Sequence, residues 1–236
     1  MNLILLLDDD FVDEGRRVVL RGRRLHHVLD VHRADVGQEL LVGRLGGRMG
    51  HGMITSLSDD SLEMEVALFH DPPEPLAVTL VLAAPRPKVL SRVVSSVASM
   101  GVKRIFLVNA WKVEKSYWES PRFNEDHLWA QLILGLEQGR DTTLPVIESR
   151  RFLKPFVEEE LPRIIEGTTP LIAHPSAGEE FPRGKTGPIT LAIGPEGGFI
   201  EDEISMFRRA GFRPVRLGER TLRVESAIPA LLGRLL

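Results

Sequence analysis

Two rhythms of apolar and polar positions run along the chain. Up to residue 71 the apolar runs are short and turn residues frequent. Leu3 to Leu7 is a five-residue apolar run that stops at Asp8-Asp9-Asp10. Val18-Val19-Leu20, Glu39-Leu40-Leu41-Val42, Met53-Ile54 and the alternating Leu62-Glu63-Met64-Glu65-Val66 follow. Runs of this length and alternation predict half-buried strands. Gly46-Gly47 suits a hairpin turn, and a short helix is expected over residues 23–31. Residues 1–71 therefore read as a small β-barrel domain.

His70-Asp71-Pro72-Pro73-Glu74-Pro75 breaks this rhythm. Prolines so dense fit neither a helix interior nor a central strand, so the stretch reads as a stiff linker. Over residues 76–236 strands and helices alternate. Val78 to Leu82 is a continuous apolar strand of the buried kind. Val89, Leu90, Val93, Val94, Val97 and Ala98 recur at helical spacing, with Gly101 placed to end the helix. A strand at 105–108, a helix over 124–138 and strands at 171–173, 189–193 and 214–217 come next. Strands separated by helices predict an α/β domain with a mostly parallel sheet covered on both faces.

Composition narrows the function. The 236 residues are 43% hydrophobic and 27% charged, ordinary for a globular chain of one or two domains. No apolar run approaches the ~18 residues of a membrane span, and Leu3 to Leu7 lacks the basic flank of a secretory signal. The sequence has no cysteine, which excludes a disulfide framework, a thiolate nucleophile and a cysteine metal site. A cytoplasmic protein is expected. A net charge of −3 argues against an indiscriminate nucleic-acid binder, yet the charge is segregated. Between Gly15 and Gly52, Arg16, Arg17, Arg21, Arg23, Arg24, Arg33, Arg44 and Arg48 face only Asp30, Asp35 and Glu39. Between Ala83 and Lys115, Glu114 is the only acid against seven basic residues. Such stretches either present a basic face to phosphates or are ordinary solvated arginines.

Candidate chemistry sits at strand exits. Ile193-Gly194-Pro195-Glu196-Gly197-Gly198-Phe199 leaves an apolar strand and enters the acidic start Glu201-Asp202-Glu203. Ligands in open α/β sheets bind beyond the carboxyl ends of strands, so this turn is either a cofactor loop or a plain tight turn. It has neither the G-x-G-x-x-G spacing nor the lysine of a phosphate loop. The acids after it would repel a phosphate and accommodate a cationic ligand such as a sulfonium. A second exit runs Leu217-Gly218-Glu219-Arg220-Thr221-Leu222-Arg223-Val224-Glu225-Ser226-Ala227. Its plain reading is a helix entry with Ser226 as cap and Glu225 paired to an arginine. A third, Ala173-His174-Pro175, carries a histidine that is more often structural than catalytic.

These three exits resemble the SPOUT class of methyltransferases, and their wording resembles the RsmE family, which methylates N3 of a uridine in bacterial 16S ribosomal RNA. Leu171 and His174-Pro175, the glycine loop at 193–199, and Leu217-Gly218 with Arg220, Leu222-Arg223 and Glu225 match that family's three late motifs. Glu137-Gln138 and Pro145 match an upstream segment, and His27-Val28, Val31, Arg33 and Gly37 match an N-terminal one. The chain departs from the family at Ser96, Ser99, Arg140, Arg86, His32 and Ser226.

The resemblance implies a trefoil-knotted SPOUT domain over 76–236, preceded by a PUA-like barrel over 1–71. It implies S-adenosylmethionine as methyl donor with no metal, 16S ribosomal RNA of the small subunit as partner, and a homodimer. Leu171, His174, Gly194, Pro195, Glu196, Gly197, Gly198, Leu217, Gly218 and Leu222 would enclose the cofactor. Arg223, with Arg220 second, would stabilise the uracil anion, and Glu225 would orient an arginine or accept the proton. Arg23, Arg24, His27, Arg33, Arg86 and Lys88 would hold RNA. Rival readings are a SPOUT enzyme with another RNA target, a noncatalytic RNA-binding assembly factor on the same fold, and a nucleotide-binding α/β protein, which the missing phosphate-loop lysine disfavours.

Overall fold

The structure is a computed structural model that describes residues 2–13, 15–184 and 187–236, with only the backbone of His32 described. Glu14, which follows Asp8-Asp9-Asp10 and Asp13 in the sequence, lies outside the described residues. The chain forms two compact units, residues 1–74 with 133–144, and residues 75–132 with 145–236.

The first unit is built on strands β1 (Ile4–Leu6), β2 (Arg17–Leu20), β3 (Glu39–Arg44), β4 (Met49–Leu57) and β5 (Leu62–His70), in sheet order β1-β3-β4-β5-β2. β1 runs parallel to β3 and the other pairs are antiparallel. Ile4, Val18, Val42, Ile54 and Met64, one from each strand, share one buried cluster. A sheet whose two edges feed one core must curl around it, as alternating strands with a single apolar face do. Helix α1 (Arg23–His27) continues as a π-helical turn, Val28–His32, and adds Leu25 and Val28 to that core.

Gly50, beside a register shift between β4 and β5, meets that curl closely: a Cβ there would stand 1.9 Å from the Ala67 carbonyl oxygen. Backbone cannot yield as a side chain does, so Gly50→Ala is expected to cost at least about 1–3 kcal/mol. Urea unfolding would show this, and an unchanged midpoint would refute the close approach.

A plain cut at the proline linker misses one feature. Residues 133–144 belong to the first unit, where Ile133 and Leu136 pack with Leu3 and Leu5. These residues include the second half of helix α3 (Glu125–Gly139). Within this unit the Glu137 carbonyl accepts the backbone N–H groups of Asn2 and Leu3 at 3.2 and 3.0 Å.

The second unit carries β6 (Leu76–Ala83), β7 (Val102–Val108), β8 (Val146–Arg150), β9 (Thr169–Ala173), β10 (Glu179–Glu180), β11 (Ile189–Ile193) and β12 (Arg213–Arg216). Their order is β10-β12-β9-β11-β6-β7-β8 and every pairing is parallel. Val81, Ala83 and Phe106 face a cluster with Phe156, Leu161, Phe199 and Phe207. Strand side chains alternate, so the equally buried Leu80 and Leu82 face the other side. A sheet buried on both faces explains the unbroken apolar runs.

Helix α2 (Pro87–Ser99) packs with α7 (Val224–Leu232), and Gly101 follows α2 at φ +84°. α4 (Leu153–Pro155), α5 (Leu161–Ile164) and α6 (Glu201–Arg209) complete the α-helices of the described residues. No helix of the described residues is long and apolar enough to cross a membrane.

Candidate functional site

Sheet order decides where the site lies. β12, β9 and β11 are neighbours and parallel, so their carboxyl ends open side by side. The His174 N–H donates to the Val215 carbonyl at 2.9 Å, carrying the β9–β12 pairing into the exit. The turns at 174–176, 194–199 and 217–223 all line one cavity of about 470 Å³, a size ordinary for a small-molecule site. Val224, Ala227 and Leu231 of α7 line it as well.

The glycine loop holds its shape through close backbone approach, one left-handed glycine and two hydrogen bonds from outside it. A Cβ on Gly194 would stand 2.8 Å from the Phe199 nitrogen and 3.2 Å from Gly198 atoms, so only glycine fits there. Gly198 lies at φ +69°, a left-handed conformation that glycine adopts without strain. Outside the loop, Lys112 Nζ donates to the Gly197 carbonyl at 2.7 Å. The Glu196 carboxylate accepts the Arg86 backbone N–H at 3.0 Å, at the start of α2.

The acids after the loop do something other than face a cationic ligand. Glu203 is buried, and its carboxylate accepts backbone N–H groups from Ile200 at 2.9 Å and Trp111 at 2.7 Å. It caps α6 and fastens the β7 exit. None of Glu201, Asp202 and Glu203 lines the cavity, whose charged lining is Lys112, Arg216, Arg220 and Arg223 against Glu196. The cavity is thus cationic, which corrects the expectation drawn from those acids. Such a lining suits a substrate that is an anion or becomes one. Arg216, Arg220 and Arg223 form no ion pair among the described residues, and the Arg216 Nε is buried without an acceptor. An orphaned buried donor costs roughly 1–3 kcal/mol, a cost that ligand sites carry when the ligand supplies the acceptor.

Of the residues singled out from the sequence, His174, Gly194, Pro195, Glu196, Gly197, Gly198, Leu217, Gly218, Leu222, Arg220 and Arg223 line the cavity. Leu171 does not: it is fully buried inside β9, two residues short of the exit, and pairs in register with Leu191 and Arg213. Glu225 also falls outside the lining, in the first turn of α7, and has no ion-pair partner among the described residues. Ser226 is no cap. The helix starts at Val224, so Arg223 holds the cap position and its carbonyl accepts the Ser226 and Ala227 N–H groups at 2.9 and 2.8 Å.

The arginines expected to grip RNA divide. Arg24 chelates Asp10 through Nη1 and Nη2, at 2.5 and 2.7 Å, and also donates to the Leu5 carbonyl. Arg23 meets the fully buried Glu137 carboxylate through two parallel bonds of 2.9 and 3.0 Å. Both therefore hold the first unit together. His27 is half-buried, while Arg33 stands exposed at φ 49°. Arg86 and Lys88 are exposed at the start of α2. The Tyr117 oxygen and the Glu196 carboxylate raise the Arg86 guanidinium further, and burial raises the Tyr117 phenol.

Sequence reasoning missed Lys112 and Arg216. Lys112 sits some eighty residues from the loop it holds, so no local pattern reveals it. Arg216 carried a signal, a charge between Val215 and Leu217 at the end of a strand.

Comparison with known proteins agrees with this geometry. Residues 72–236 match the family model described as RNA methyltransferase domain. The ribosomal RNA small subunit methyltransferase E of Treponema pallidum is 29% identical over 96% of this chain and 87% of its own length. The protein of that name from Mycobacterium bovis is 26% identical over 99% of this chain and 91% of its own. Among solved structures, the Neisseria gonorrhoeae ribosomal RNA small subunit methyltransferase E bound to S-adenosylmethionine superposes with a TM-score of 0.75 at 21% identity, covering 99% of this chain and 95% of that one. A Legionella pneumophila protein solved with the same cofactor gives 0.76 at 23%, covering 98% and 95%.

Proposed function

Because the chain belongs to the RNA methyltransferase domain family, we propose that it transfers a methyl group from S-adenosylmethionine to N3 of a uridine in the 16S RNA of the small ribosomal subunit. The observation that carries this reading is the convergence of the three late turns on one cationic cavity. Relatives named for small-subunit ribosomal RNA methylation align with nearly the whole chain, and the closing motif around Arg220, Leu222, Arg223 and Glu225 supports the base-N3 branch.

The donor supplies an electrophilic methyl carbon, which leaves placement and proton removal to the protein. Gly194, Gly197 and Gly218 would hold it through backbone groups, between walls made by Ile193, Phe199, Leu217 and Leu222. Fixing two reactants in a near-attack arrangement lowers a barrier by roughly 7–11 kcal/mol. Loss of the N3 proton, with the Glu225 carboxylate in the first turn of α7 as its proposed acceptor, spreads negative charge over N3 and its flanking carbonyls. An exposed guanidinium at the cavity mouth with no ion-pair partner among the described residues, Arg223, would stabilise that charge. Arg220, also exposed and lining the cavity, is a second cation.

The same reading takes residues 76–236 as trefoil-knotted and the first unit as PUA-like, on the strength of the full-length fold likeness. It also makes the protein a homodimer, since Arg220, Leu222 and Arg223 form an exposed rim that a second copy would complete.

Calorimetry with S-adenosylmethionine tests the pocket. The wild type is expected to bind one molecule per chain, and Gly194→Ala to lose about ten- to a hundredfold in affinity because its Cβ displaces the loop. A wild type that does not bind the donor would overturn the proposal.

A further inference from the structure

We propose that the exits of β7 and β8 form a stacking shelf for single-stranded RNA bases beside the cavity, with Trp111 as its principal platform. This rests on the methyltransferase reading above and adds to it the residues that would hold the RNA next to the reacting base. Trp111 is 80% exposed and Phe152 is 78% exposed. They follow adjacent parallel strands at the β8 edge of the sheet, at the same carboxyl end as the cavity, which Lys112 of the β7 exit reaches, and the Asn109 N–H donates to the Arg150 carbonyl to join the two exits.

An indole so exposed gives up most of the burial that usually retains a tryptophan. Its position is nonetheless fixed. The Trp111 N–H is held by buried Glu203, and its neighbour Lys112 reaches from the same loop to the Gly197 carbonyl and lines the cavity. The shelf and the glycine loop therefore form one framework, and the indole is presented on rigid backbone.

The surroundings select the occupant. Lys112, Lys115, Arg151 and Lys154 stand exposed on these two exits. On the β7 exit the acids are Glu119 and Glu114, which accepts a hydrogen bond from the Tyr117 hydroxyl at 3.2 Å; beyond Lys154 come Glu158, Glu159 and Glu160, the last paired with Arg150. Arg151 lies 5.5 Å over the Trp118 ring, and Trp118 Nε1 donates to Asn109 Oδ1 at 3.1 Å, so this second indole is turned inward and supports the loop. Exposed aromatics interleaved with cations are the composition of single-strand nucleic-acid grooves, where rings stack on bases and cations meet phosphates. Protein interfaces instead deplete lysine at their apolar centres. That contrast favours RNA over a second protein surface.

The test pairs Trp111→Ala with Trp111→Phe in the full chain. Binding of a short uridine-containing single-stranded oligoribonucleotide is read by fluorescence anisotropy, and KM for small-subunit particles by methyl transfer. Trp111→Ala is expected to weaken oligonucleotide binding by roughly 5- to 150-fold and to raise KM similarly, with S-adenosylmethionine affinity unchanged. Trp111→Phe is expected to recover most of the loss, since a phenyl ring still stacks. Oligonucleotide binding unaffected by Trp111→Ala would overturn the shelf. So would a fall in molar mass by light scattering, which would mark Trp111 as a contact between copies of the chain. The oligonucleotide measurement needs no turnover, so an inactive wild type would count against the reaction and leave the shelf separately testable.

Discussion

Arg223→Ala is expected to lower kcat by about 10²- to 10³-fold while S-adenosylmethionine affinity stays close to wild type. The proposed role places the guanidinium against charge that exists only after uracil gives up its N3 proton. An interaction made in the transition state and absent from the ground state changes kcat and kcat/KM together and leaves KM nearly alone. Arg223 suits this role because its side chain is exposed at the cavity mouth and has no ion-pair partner among the described residues. Its backbone stays useful after truncation: the Arg223 carbonyl still caps α7 through the Ser226 and Ala227 N–H groups, so the fold should survive. Arg223→Lys should recover only part of the rate, because a point ammonium cannot span N3 and a carbonyl as a planar fork does. Steady-state kinetics with calorimetry in parallel would separate the effects. Equal losses of affinity and rate would make Arg223 a cofactor-binding residue instead.

Arg23→Ala is expected to destabilise the first unit by about 3–5 kcal/mol. Its guanidinium is half in solvent, but the carboxylate it holds, Glu137, is completely buried. Truncation would leave a buried charge with its fork removed. Glu137 also anchors the chain start, since its carbonyl accepts the Asn2 and Leu3 N–H groups, so the damage would spread to β1. Arg33→Ala is the control: Arg33 is exposed, has no side-chain partner among the described residues, and should change stability within about 0.5 kcal/mol. Urea unfolding of both variants checks this. Unchanged stability for Arg23→Ala together with weakened RNA binding would return Arg23 to the RNA-contacting set.

That contrast shows what a sequence can reveal here. Arg23 and Arg24 sit in a basic stretch, and linear charge says nothing of a partner 114 residues away such as Glu137. What is local was legible. The apolar runs at 78–82 and 189–193 fell inside strands, Gly101 closed α2, and the glycine loop was recognisable because Gly194 admits no side chain. What depends on sheet order was not. β8, Val146-Ile147-Glu148-Ser149-Arg150, is a short, charged edge strand whose alternation is too weak to announce it. The transfer of residues 133–144 to the first unit follows from the packing of Ile133 and Leu136 on Leu3 and Leu5, which the proline linker at 70–75 conceals. Glu203 misled for a similar reason: at the start of a helix an acid reads as part of the ligand's surroundings, whereas its carboxylate is already taken by Ile200 and Trp111.

The most direct measurement is methyl transfer from labelled S-adenosylmethionine to small ribosomal subunits that lack the modification, followed by nucleoside mass spectrometry and mapping of the modified base. The expected product is 3-methyluridine at a single position of the 16S RNA, formed once per particle. A methyl group on ribose oxygen or on another base, or no transfer by a protein that binds the donor, would contradict the account.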